Sequence, residues 1–146
     1  MSAHGKSLSE YLQFQKWLLA LVLAVFAIRL GFSVRWASLN ALEGIGLLYY
    51  AVAVPLRGFG SYKQLLILLF IQIALTHVLI ALAIVLGIVT ASGNMFTRSE
   101  FSPGNNGSTW YHVGLHLIAI AMLPVICWIV GTPILWITKM LKPKEA

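Results

Sequence analysis

Residues 64–90, QLLILLFIQIALTHVLIALAIVLGIVT, form an apolar run without a formal charge. About 20 such residues, rising 1.5 Å each, cross the roughly 30 Å core of a bilayer. The run is therefore read as a transmembrane helix. Gln72, Thr76 and His77 lie near its middle. Polar groups at that depth are costly unless something partners them, so other helices must surround this one. Gln72 and Thr76, four apart, stack on one helical face, and His77 lies about 100° round from Thr76.

The rest of the chain agrees with a membrane setting. Of 146 residues 60% are hydrophobic and 10% charged, and the mean hydropathy is +0.88. Soluble domains carry about 25% charged residues. The net charge of +6 comes from Lys and Arg scattered between apolar segments, with no basic face interleaved with aromatics, so nucleic-acid binding is not expected. There is no Asp and only four Glu, which speaks against paired-carboxylate chemistry. Cys127 is the one cysteine; it permits no internal disulfide or CxxC exchange and is read as a small packing residue.

Ser7-Leu8-Ser9-Glu10 matches a capping box that starts an interfacial turn leading into the first span. No small-residue cleavage site closes that span, so it is expected to be retained. The spans are placed at about 17–32, 36–55, 64–90 and 110–140, with one substantial loop at 92–109. Pro55 is expected to end the second span, and Pro124 and Pro133 to kink or split the fourth. The expected fold class is all-α: a single integral membrane domain, a bundle of four transmembrane helices in up-down-up-down order.

Seven basic residues, Lys6, Lys16, Arg57, Lys63, Lys139, Lys142 and Lys144, fall on one side of this topology, and Arg29, Arg35 and Arg98 on the other. The positive-inside rule then puts both termini in the cytoplasm and the 92–109 loop outside, with a bacterial inner membrane as the expected location. Asn106-Gly107-Ser108 matches a glycosylation sequon, a pattern without meaning in such a membrane.

Several side chains are candidates for function. Arg29 and Glu43 lie at similar distances before and after the tight turn at 33–35, which predicts an intramembrane ion pair. His112 and His116 are four apart near the outer end of the fourth span, a spacing that can chelate Zn²⁺, with Glu100 from the loop as a third ligand. His77 is a candidate haem ligand, because bundle cytochromes use histidines from facing helices. Counting from the span ends places His77 near the midplane and His116 about 6–9 Å inside the outer surface, so the two are not expected to meet. A quinone or proton site is the other use of His77, Thr76 and Gln72.

Ala37-Ser38-Leu39-Asn40-Ala41-Leu42-Glu43 resembles the start of the second helix in the MAPEG family of membrane glutathione-handling enzymes, whose pattern is similar to R-A-x-x-N-x-x-E. Chain length and four spans also fit. The resemblance implies that Asn40 and Glu43 face the cofactor. It covers under a tenth of the chain; Trp36 stands where the family has Arg, the first loop is shorter, and the family's later basic residues have no counterpart in the third span.

No nucleotide motif, nucleophile with a nearby base, or complete metal set is present, so the reading leans away from an enzyme. A non-catalytic subunit is favoured, accessory or structural in a larger membrane complex, with the lipid bilayer and other membrane subunits or further copies of itself as partners and no cofactor. One alternative is a small transporter or channel with a polar path at Glu43, Gln72 and His77. Another is a redox protein that binds haem or Zn²⁺ through His77, His112 and His116.

Overall fold

The computed structural model describes residues 5–34, 38–98 and 109–142. Four helices follow in order: α1 (Leu8–Phe32), α2 (Leu39–Leu56), α3 (Tyr62–Val89) and α4 (Trp110–Leu141). A short 3-10 turn (Met95–Thr97) follows α3, and there is no strand among the described residues. All four helices are long and apolar enough to cross a membrane. The protein is an all-helical membrane four-helix bundle.

Local sequence sets the helix ends. Ser7 caps α1 through the expected box: its hydroxyl accepts from the Glu10 N–H at 3.3 Å, and the Glu10 carboxylate accepts from the Ser7 N–H at 2.8 Å. Ser33 closes α1 in a left-handed conformation at φ 52°. Ser38 caps α2 by accepting from the Ala41 N–H at 3.2 Å, so α2 starts at Leu39 and the turn before it is longer than the three residues expected. Pro55 falls in the last turn of α2. The helix α4 continues through Pro124 and Pro133 instead of splitting; the other backbone bonds of a 32-residue helix hold it together across each missing N–H.

Contacts between chain-distant segments define the two ends of the bundle. Tyr11 meets Phe59 edge-on at 5.5 Å, Lys139 Nζ donates to Ser61 Oγ at 3.1 Å, and Lys142 Nζ approaches the Pro55 carbonyl at 3.5 Å. The start of α1, the α2–α3 connection and the end of α4 thus lie together at the termini end. Aromatics and cations interleave there, with Arg57 over the rings of Phe14 and Tyr49, as at a membrane interface. Of the described residues, 33–34, 38, 90–98 and 109 belong to the opposite, loop end.

The most enclosed helix is α3, which buries Leu65, Leu68, Leu69, Gln72, Ile73, Thr76, His77, Ile80, Ile84 and others. One apolar cluster, built on Tyr50, Leu65, Leu69 and Leu135, fills the termini-side half. A second, built on Val22, Leu39, Ile84 and Phe96, fills the loop-side half. In α4 only His112, Val113, Pro124, Gly131 and Leu135 are buried, and Ile118, Ile126, Ile129 and Ile137 face outward where lipid would lie. Half-buried Cys127 packs against the termini-side cluster.

At the loop end the chain folds back on α3. The Asn94 amide donates to the Ala83 carbonyl at 2.7 Å, and Met95, Phe96 and Thr97 are buried. A Cβ at Gly87 would stand 2.6 Å from Thr97 Cγ2, so only glycine leaves room for this turn. One face of the last turns of α3, at Ala83, Ile84 and Gly87, is therefore covered by the loop.

Candidate functional site

Four ionisable side chains on three helices line up in the loop-side half. Glu43 projects from the second turn of α2, and its Oε1 lies 3.4 Å from His77 Nε2 on α3. The other nitrogen of that ring, Nδ1, is 2.7 Å from His116 Nδ1 on α4. The far nitrogen of His116, Nε2, is 3.2 Å from His112 Nε2 one turn earlier in α4. Glu43, His77 and His112 are buried, at 9%, 6% and 5% exposure, and His116 is half-buried. The ring centroids of His116 stand 5.0 Å from those of both His77 and His112. The order is Glu43, His77, His116, His112, with each of the two middle rings used through both nitrogens.

This arrangement overturns the depth expected for His77. His77 lies twelve residues before the end of α3, about 18 Å, and His116 six residues after the start of α4, about 9 Å. The two are nonetheless level. Helices of 28 and 32 residues, about 42 and 48 Å long, exceed the bilayer core. They are staggered, with α3 projecting at the loop end under the 94–97 turn. Distance from a helix end is then no measure of depth.

Both members of the expected Arg29–Glu43 pair have contacts elsewhere. Glu43 is turned toward α3 and α4, where it meets His77. The Arg29 guanidinium instead lies over the Phe96 ring at 5.5 Å, and Phe96 stacks on Phe26. Similar depth on consecutive helices does not set which face of each helix turns inward.

Gln72 and Thr76 are fully buried. The Thr76 hydroxyl donates to the Gln72 carbonyl of its own helix at 3.0 Å. The Gln72 amide reaches across and donates to the Leu42 carbonyl on α2 at 2.8 Å. Gly46 makes that approach possible: a Cβ there would stand 2.0 Å from Gln72 Oε1. Two further polar links escape the sequence reading. The Tyr50 hydroxyl donates to Gln15 Oε1 at 2.8 Å inside the bundle, and the Trp128 indole donates to the Tyr62 carbonyl at 2.8 Å. Gln15 stands ahead of Trp17, where the first span was taken to begin; its position one helical turn after the inward-facing Tyr11 was the available signal.

A cavity of about 510 Å³ borders the histidines. Its polar wall consists of Arg29, Ser38, Asn40, His77, His112 and His116, and Leu39, Ile80 and Phe96 supply much of the apolar wall. A metal ion fits this site poorly. An ion on His116 Nε2 reaches His112 but not His77, which faces the other nitrogen, and no three His, Cys, Asp or Glu among the described residues converge on one point. Glu100, the expected third ligand, lies outside the described residues. Haem fits no better: two nitrogens on one metal stand about 4 Å apart at roughly 2 Å per bond, whereas the His77 and His116 nitrogens are at hydrogen-bonding distance.

Comparison of the chain with known families, curated proteins and solved structures finds no match. The resemblance at Asn40 and Glu43 thus stays confined to those few residues, and the site is read on its own chemistry.

Proposed function

We propose that this chain is a proton-handling membrane protein, in which Glu43, His77, His116 and His112 pass protons between the bundle interior and the cavity at the loop end. The observation that supports this is the unbroken sequence of contacts at 3.4, 2.7 and 3.2 Å. Imidazole accepts a proton on one nitrogen while it releases one from the other, so a ring contacted on both sides is a relay element.

The protons balance. In one state protonated Glu43 faces His77 Nε2, His77 Nδ1–H donates to His116 Nδ1, His116 Nε2–H donates to His112 Nε2, and His112 carries its proton on Nδ1. A shift by one position moves the Glu43 proton to His77 Nε2, the His77 proton to His116 Nδ1, and the His116 proton to His112 Nε2. His112 Nδ1 then releases one proton, and Glu43 is left as the carboxylate. The Glu43–His77 link is the slack one, beyond ordinary hydrogen-bonding distance; its two facing atoms have no other hydrogen-bond partner.

A passive scaffold subunit, to which the missing catalytic motifs point, has no use for four ionisable groups in line, three of them buried, at this cost. The transporter reading, which shares Glu43 and His77, moves ahead of it. Six cations of the described residues, Lys6, Lys16, Arg57, Lys63, Lys139 and Lys142, belong to the termini end. By the positive-inside rule that end faces the cytoplasm of a bacterial inner membrane, and the relay opens on the outer side.

The test is infrared difference spectroscopy of the reconstituted protein after a rapid pH jump. A protonated-carboxyl band that Glu43→Gln removes is expected to respond to the jump, and His116→Ala is expected to slow that response. A Glu43 band that responds as fast without His116, or that does not respond at all, overturns the proposal.

A further inference from the structure

Beyond Glu43, buried polar side chains continue toward the termini end. Glu43, Gly46 and Tyr50 stand at i, i+3 and i+7, on one face of α2. Gln72 fills the space over Gly46, between the turns of Glu43 and Tyr50. Tyr50 is hydrogen-bonded to Gln15 on α1. Gln72 and Tyr50 are 0% exposed and Gln15 1%.

Three of these groups hold buried polar atoms without a hydrogen-bond partner: Glu43 Oε1, Gln72 Oε1 and Gln15 Nε2. Buried polar atoms are rarely left so, and ordered water is the common partner. This line of polar side chains also ends in a space. Gln15 is part of the wall of a second cavity, about 360 Å³, together with Leu18, Leu21, Ile45 and Tyr49 of the α1–α2 seam.

We propose that Glu43, Gln72, Tyr50 and Gln15 extend the histidine relay as a water-bridged proton route through the bundle, linking the loop-end cavity to the cavity in the α1–α2 seam. Water carries protons along it; the Tyr50 hydroxyl, which donates to Gln15 Oε1 at 2.8 Å, accepts from that water and orients it. The two glutamines hold the water, Gln72 Oε1 as acceptor and Gln15 Nε2 as donor, so the water along the route is oriented. From Glu43 to Tyr50 the route covers about 10.5 Å of axial distance, at 1.5 Å per residue. The inference rests on the relay reading and adds that protons cross the protein.

The test is proton flux into vesicles that contain the purified protein and a trapped pH dye, driven by a potassium gradient with valinomycin. The unsubstituted protein is expected to carry flux above that of protein-free vesicles. Gln72→Leu, Gln15→Leu and Tyr50→Phe are each expected to lose most of it. Gln13→Leu, at an exposed position two residues from Gln15, is expected to retain it. Tyr50→Phe removes one oxygen from a packed ring and keeps the test valid where a leucine variant fails to fold. Flux that survives Gln15→Leu and Tyr50→Phe but not Glu43→Gln overturns this route and leaves the relay standing. A Glu43 carboxyl band that answers a pH jump in a protein carrying no flux does the same.

Discussion

Gly46→Ala tests the interior of the bundle at its tightest point. In an ordinary helix this change is favourable by about 0.5–1 kcal/mol, because alanine loses less backbone freedom. Here the new methyl would stand 2.0 Å from Gln72 Oε1, 2.7 Å from Cδ and 2.8 Å from Nε2. The amide is the far end of a flexible chain, but it is enclosed and committed to the Leu42 carbonyl. Moving it breaks that bond and leaves the buried Leu42 carbonyl without its donor, at a cost of about 1–3 kcal/mol. The net expectation is a loss of up to roughly 2.5 kcal/mol. Gly44→Ala, whose Cβ meets nothing within 4 Å, is the internal control and is expected to be neutral or stabilising. Unfolding in detergent, followed by circular dichroism, measures both. In a Gln72→Ala background the obstruction is gone, so Gly46→Ala should turn neutral or favourable, with a coupling of about 1 kcal/mol or more in the cycle. Equal stability of Gly46→Ala and the parent, with no coupling to position 72, would refute the reasoning.

Three further outcomes follow from packing and capping. Gly131→Val should lower stability by about 1–3 kcal/mol through overpacking, since even a Cβ there lies 2.7 Å from Leu47 Cδ1 and 3.2 Å from Leu65 Cδ2; thermal unfolding in detergent reads it. Trp128→Phe removes the indole bond to the Tyr62 carbonyl and should cost about 0.5–1.5 kcal/mol in the same assay, with faster amide exchange at the start of α3. Ser7→Ala removes the α1 cap and should cost about 0.5–2 kcal/mol locally, seen as faster exchange at residues 8–11 with exchange at α3 unchanged.

The membrane class, the helix count and the helical order were legible because hydropathy, length and caps are local properties. The polar trio Gln72, Thr76 and His77 was legible for the same reason: a polar residue inside a long apolar run has to be enclosed. Which side chains meet was not legible. Arg29 and Glu43 match in depth, but α2 turns Glu43 toward α3, and only packing sets that rotation. His77 and His116 were separated by a depth count that assumed every helix starts at the same membrane surface. The 94–97 turn covers an extended α3 and breaks that assumption. Tyr50 and Gln15 are ordinary residues in the sequence and become a buried pair only when α1 docks on α2.

The relay is tested most directly by nitrogen-15 NMR of histidine-labelled protein in lipid bilayers, with a search for coupling across the hydrogen bond between His77 Nδ1 and His116 Nδ1. The account predicts a correlated pair of nitrogens, one donor and one acceptor, that vanishes in His116→Ala and shifts in Glu43→Gln. Three histidines with independent signals, each indifferent to substitution of the others and of Glu43, would contradict it.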